Sequence, residues 1–196
     1  MDEKNLKSYT LAVRSAVRGL WTEAISSAEF VVWMRTAIER EFWFAVEEGI
    51  KGCDIKLSDL EPEETEFVTE AIQSEEEYIA NFAIDITVTR DQGGNLQSML
   101  DRAELWINRY NEMVSKARVM ICQNQKLEWV LGATEEHCTS CERLNGIVKR
   151  ASFWEKAGVF PQGAPNPKIE CGGWQCDCRL RPTNKRVTPG PLPRLP

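Results

Sequence analysis

Five of the chain's seven cysteines fall in two knots near its C-terminal end. The first reads Glu136-His137-Cys138-Thr139-Ser140-Cys141, and the second reads Cys171-Gly172-Gly173-Trp174-Gln175-Cys176-Asp177-Cys178. A tetrahedral structural zinc needs four soft ligands delivered by turns. C-x-x-C is the commonest half-site because its two sulfurs reach one ion from a single turn. Cys138 and Cys141 have that spacing. The second knot is less regular, since Cys171-x4-Cys176-x-Cys178 offers three sulfurs where two are needed. The expected ligands of a Zn2+ ion are four of Cys138, Cys141, Cys171, Cys176 and Cys178, with Cys138, Cys141, Cys171 and Cys176 as first choice. Cys178 is the substitute for Cys176. His137 is the substitute for one thiolate, although its place beside Cys138 makes chelation by both awkward.

Other chemistries fit these residues less well. A C-x-x-C can be a redox pair, but no thioredoxin-like βαβ pattern precedes this one. A disulfide-bonded module requires a mature protein that lives outside the cell. Zinc deaminases need an upstream H-x-E and zinc proteases an H-E-x-x-H, and the chain has a single histidine. Glu135, Glu136 or Glu170 near a metal would be the available general bases, yet solvated surface acids explain them better. Four thiolates leave a metal no open position for substrate. No catalytic residue is therefore assigned, and the expectation is a protein that is not an enzyme.

The rest of the chain must carry and position these knots. Its 196 residues suffice for one good core or for a helical body with a small appended module. A net charge of −6 argues against a protein that coats nucleic acid or anionic membrane, so nucleic acid is an unlikely partner. The charge is uneven: acids crowd between Glu39 and Glu77, whereas Arg179, Arg181, Lys185, Arg186 and Arg194 leave the end of the chain purely basic. No signal peptide is expected, because Met1-Asp2-Glu3-Lys4 leads into an amphipathic pattern. The apolar stretch from Ala28 to Val46 is interrupted by Glu29, Arg35, Glu39, Arg40 and Glu41, which excludes a membrane span. A reducing cytoplasm then favours thiolate ligands over disulfides.

Apolar residues recur at helical spacing from Leu6 through Val46, with Gly19 and the Ser26-Ser27 pair as candidate kinks and Gly49 and Gly52 as the stop. Unbroken from Leu6 to Glu48, this helix would span roughly 60 Å at about 1.5 Å per residue. Between Ala28 and Phe44 its apolar residues cover more than one face, so this half is expected to be buried on several sides or to meet a partner, with Trp33 and Phe42 as the partner-binding candidates. Ser58-Asp59-Leu60-Glu61-Pro62 predicts the start of a second helix, whose early Glu63, Glu64 and Glu66 suit the positive end of its dipole. Asp91-Gln92-Gly93-Gly94-Asn95 is a turn. A third helix follows, with Leu96, Leu100, Ala103, Ile107, Tyr110, Val114, Ala117 and Ile121 on one face, and the second and third helices form an αα-hairpin. Cys53 and Cys122 are expected as small buried apolar residues.

After Gln123 the helical period stops. Leu127 to Leu131 predicts a short strand, and Asn145-Gly146 a hairpin turn with Ile147-Val148-Lys149 returning. Ser152 caps a short helix through Lys156, and Gln175 to Leu180 is the last expected strand. The Pro-rich end from Val187 cannot build a core and is expected to be an arm that orders on a partner through Arg179, Arg181 and Arg186. The expected fold is mainly α. Residues 1–124 form a long-helix body (an αα-hairpin plus a long first helix), residues 125–182 a small zinc-stabilised α/β module, and residues 183–196 an extended basic tail.

Several spaced elements of this C-terminal third agree with a known family. They are Trp129-Val130-Leu131-Gly132, Thr134-Glu135-Glu136-His137-Cys138, Cys141, Leu144-Asn145-Gly146, Phe160-Pro161, Asn166-Pro167, Cys171 and Cys176-Asp177-Cys178. In this order they resemble the C-terminal module of phage Mu F-like minor head (head morphogenesis) proteins. That family ends in a Pro-x-His-x-x-Cys-x-Cys pattern; here Cys171 stands near the place of the His, and Gly172-Gly173-Trp174 lengthens the following gap. The resemblance implies a structural role during head assembly. The partners would be the portal and/or major capsid protein, with possible self-association, in the host cytoplasm and then the virion head. Two rivals are weighed beside it: a metal-dependent hydrolase or toxin-like domain on a phage scaffold, and a DNA-contacting head protein using the basic tail.

Overall fold

The helical period of the first fifty residues is broken once, and the break is written in the sequence. In the computed structural model, which describes residues 3–134, 136–163, 165–174 and 176–195, α1 spans Glu3–Trp21 and α2 spans Ser27–Ile50. Ser26 and Glu29 form a reciprocal cap at the start of α2. The Ser26 N–H donates to Glu29 Oε2 at 2.7 Å, and the Glu29 N–H donates to Ser26 Oγ at 3.2 Å. Glu23 just before it takes φ 59°, a left-handed turn that ends α1. The long first helix is thus corrected to two. A single 3-10 turn, Leu57–Asp59, precedes α3, Pro62–Asp91. Proline stands in the first turn of α3, and Glu64 accepts the Glu61 N–H at 2.9 Å. A short turn then leads into α4, Leu96–Ile121.

By its internal contacts the chain divides into two compact units, Met1–Glu48 with Asp59–Tyr110, and Gly49–Ser58 with Asn111–Pro196. The first is a helical bundle. Its α3 and α4 segments run antiparallel as the expected hairpin: Phe82 lies 4.9 Å from Trp106, Asp85 pairs with Arg102 at 2.6 Å, and Glu75 pairs with Arg109 at 3.3 Å. From α1, the Tyr9 hydroxyl donates to the Trp106 carbonyl and Arg14 pairs with Glu104. From α2, Phe30 stacks at a tilt on Phe82. Phe42, expected to meet a partner, is 1% exposed and belongs to this core, whereas Trp33 is 51% exposed. Burying a phenylalanine stabilises by about 1.5–3 kcal/mol, which is why Phe42 turns inward with Phe30, Met34 and Ile38, while Val32 and Trp33 on another face of α2 stay exposed.

The second unit holds the cysteine knots. It carries a three-stranded antiparallel sheet of order β2-β1-β3, with β1 Lys126–Val130, β2 Val148–Arg150 and β3 Arg179–Pro182. Two short helices, α5 Thr139–Leu144 and α6 Ala151–Ala157, lie between strands. Leu127, Trp129, Leu144, Trp154, Val159 and Leu180 form its core together with Cys141 and Cys178. β3 starts later than the expected Gln175, which lies outside the described residues. Asn145-Gly146 closes α5 and does not join two strands directly.

Cys53 and Cys122 are not separate buried thiols. They form a disulfide with a Cα–Cα distance of 5.7 Å, which ties the connection after α2 to the end of α4. The tail is a second departure from expectation, because it packs on its own unit. Thr188 exchanges hydrogen bonds with the backbone of Val148, and the buried Lys149 ammonium donates to the carbonyls of Thr188 and Gly190. Leu192 and Leu195 pack against the core. Among the described residues, no helix is long and apolar enough to cross a membrane.

Candidate metal centre

Cys138 sits at the N-cap of α5, with extended backbone, and its Sγ accepts the Cys141 N–H at 3.4 Å. One turn of helix therefore aims both sulfurs of the first knot in one direction, as the C-x-x-C spacing requires. The second knot is brought to the first by a pair of hydrogen bonds that the sequence did not announce. The Thr139 N–H donates to Glu170 Oε2 at 2.7 Å, and the Glu170 N–H donates to Ser140 Oγ at 2.9 Å. Cys171 follows directly. Gly172 and Gly173 then take φ of 61° and 81°, so the chain doubles back within two residues toward Cys176 and Cys178.

The described ligand atoms fall into two groups of three. Cys138, Cys141 and Cys171 lie within 4.8 Å of one another, and so do Cys141, Cys176 and Cys178. Cys141 Sγ is 3.9 Å from Cys176 Sγ. His137 Nδ1 lies 4.0 Å from Cys178 Sγ and 3.4 Å from Thr134 Oγ1, so the histidine is at the edge of the cluster and outside both groups. All five expected cysteines are thereby assembled, with Cys141 and Cys178 buried and the others half-buried.

Crowding sets the electrostatics. Hydrogen bonds from the Cys141 and Cys176 side chains, joined by the Gly132 N–H, hold the Cys178 thiol down to about 3 against its burial. Cys141 is pushed up by its hydrogen bonds to Cys176 and Cys178 and by burial. Burial also pushes Cys171 up to about 11, reinforced by Cys176 and Cys138. Burial opposes ionisation of Cys138, but N–H and S–H donors from Cys141 and Cys171 outweigh it and lower its pKa. Cys176 is helped by Cys141, but Cys178 and burial raise it. A few thiolates are thus held in place by protons shared with their neighbours, and five adjacent negative charges cannot coexist without a cation. A metal ion removes that obstacle, because it deprotonates the thiols it binds.

The donor set fits such an ion. Four sulfurs around a tetrahedral zinc lie about 3.8 Å apart, given bonds of about 2.3 Å, and the Cys141–Cys176 separation already matches. The cluster can hold a metal ion, and an all-sulfur donor set selects a soft or borderline one. The acids considered as bases take no place in it: Glu136 is exposed, Glu170 is exposed and accepts the Thr139 N–H, and Glu135 lies outside the described residues.

Sequence reading missed the supports of the site. A Cβ at Gly132 would overlap the Asp177 carboxylate, whose Oδ2 accepts the Ala133 N–H at 2.8 Å. Gly132 was visible only as a turn, and its approach to Asp177 depends on pairing across 45 positions. Of the basic residues assigned to a partner, Arg181 and Arg186 are exposed and Arg179 is half-buried. No protein-family model, no curated protein and no solved structure matches the chain.

Proposed function

We propose that this chain is a minor structural protein of a tailed-phage or prophage head that docks on the portal or major capsid protein during assembly, and that zinc holds its cysteine unit in shape. One observation carries the structural half of this reading: among the described residues, every group able to hold a metal consists of cysteines alone. Such donors suit a folding staple. Catalytic zinc sites keep a water, and carboxylate or imidazole ligands are frequent in them. A small sheet with two short helices also buries little surface for its length, which is the situation in which a metal contributes most to folding. The head-assembly half rests on the ordered resemblance of Trp129 to Cys178 to minor head proteins. Trp33 and Val32, 51% and 61% exposed on α2, and the exposed Arg181 and Arg186 supply contacts for a protein partner.

The test begins with metal analysis and thiol counting on the purified full chain. Zinc that shields at least four of the five cysteines of the knots, beside one disulfide, is the expected result; metal-free protein with four of those five oxidised in two pairs overturns the staple. Co-purification with portal or major capsid protein, lost in Trp33→Ala, is the expected result for docking. Normal numbers of filled heads in a phage lacking this protein overturn the assembly role.

A further inference from the structure

We infer that the five cysteines hold two metal ions, one in each group of three, and that Cys141 is a thiolate bridge between them. The inference deepens the metal-staple reading and rests on it. A single tetrahedral ion draws all four of its sulfurs to about 3.8 Å from one another. The described sulfurs do not gather that way. They form two groups whose shared member is Cys141, with Cys138 and Cys171 on one side and Cys176 and Cys178 on the other. A thiolate sulfur has lone pairs enough for two ions, and Cys141 is the sulfur placed to use them: it is 1% exposed and enters both groups.

The surplus of ligands has the same explanation. Four cysteines complete one ion and leave a fifth thiol idle in a buried, crowded place. Two divalent ions engage all five, and five thiolates against two such ions leave a net charge of about −1, where four thiolates on one ion leave about −2. The smaller residual charge suits a cluster two of whose members are buried. A further donor beside the second group is His137, with Nδ1 at 4.0 Å from Cys178 Sγ. Among the described residues no further donor joins the first group, so solvent completes that ion's shell. The first position is therefore the more exchangeable of the two.

The full-length protein, loaded with 113Cd2+ and separately with Co2+, tests this by native mass spectrometry and by 113Cd NMR. Two ions per chain are expected, with two cadmium resonances that both correlate with the Cys141 β-protons. Cys171→Ser and Cys176→Ser are each expected to reduce the count from two to one, by disabling different groups. Cys141→Ser is expected to lose both ions at metal concentrations that saturate the wild type. One ion per chain with a single cadmium resonance overturns the bridge while leaving the zinc staple standing. No bound ion at all overturns the staple as well, so the two readings fail separately. The two single-group variants keep the test informative where Cys141→Ser does not fold.

Discussion

At Gly132 the backbone runs against the Asp177 carboxylate, and the same residue's N–H supports the Cys178 thiolate. A side chain there must push Asp177 aside, and Cys176 and Cys178 flank Asp177. Gly132→Ala is therefore expected to weaken metal binding by about tenfold to a hundredfold, the usual cost of disturbing groups that orient ligands, as read by competition with a chromophoric chelator. A second residue tests the helical unit. Glu41 is 1% exposed; Arg40 binds its Oε1 at 2.9 and 3.0 Å, while its Oε2 is buried with no hydrogen-bond partner. Burial raises its pKa, with Arg40 opposing. A carboxyl raised in the folded state is favourable below its unfolded value, about 4.3, and that contribution is lost as pH rises through the folded value. Glu41→Gln is expected to stabilise by about 1 kcal/mol at pH 7 and to lose this advantage at pH 4, as followed by thermal unfolding at both values. An unchanged difference between the two pH values would sink the assignment. The clustering of the five cysteines was legible from type and spacing because C-x-x-C geometry is local. Their division around Cys141 was not, since it depends on how Glu170 docks on Thr139 and Ser140 across some thirty positions.

Among the elements, those defined by local rules could be read and those defined by distant contacts could not. The third helix, the turn before it and the proline start of α3 follow from periodicity and capping. The break between α1 and α2 was equally local: Ser26-x-x-Glu29 is a capping box, but the apolar stripe runs across it and outweighs it on a periodicity reading. The tail shows the opposite case. Composition alone assigns Val187 to Pro193 to disorder, yet the edge of β2 and the buried Lys149 ammonium offer it hydrogen bonds that composition does not reveal. The Cys53–Cys122 disulfide closes a separation of 69 residues, which no spacing pattern signals. It holds the Gly49–Ser58 connection to the end of α4 inside the second unit. The double variant Cys53→Ser/Cys122→Ser is expected to destabilise that unit by about 2–4 kcal/mol while leaving metal content unchanged, because the five cysteines of the cluster take no part in the bond. Urea unfolding paired with metal analysis checks both halves; a loss of metal in the double variant would show that the two cysteine systems depend on each other.

For the molecule as a whole, two compact units stabilised by different means respond differently to the same treatment. The first owes its core to large apolar side chains such as Tyr9, Phe30, Phe42 and Phe82, all 1% exposed or less. The second adds cysteines to its core: Cys141 and Cys178 pack with Trp129, Trp154 and Leu180. If a metal joins the two knots as proposed, its removal leaves adjacent thiols and thiolates that repel and share protons, and the knots lose the force that joins them. Chelation is expected to accelerate amide exchange in residues 126–182 by tenfold or more and to leave exchange in α3 near that of the untreated protein. Mass spectrometry of peptides from the full-length chain, with and without chelator, reads both regions in one experiment. Acid should act in the same direction, because thiolate ligands must be protonated to release the ion, and metal is expected to leave as pH falls, not as it rises. Equal protection of residues 126–182 before and after chelation would mean that the sheet and its aromatic core hold this unit without the metal, and the cysteine cluster would then need a different purpose.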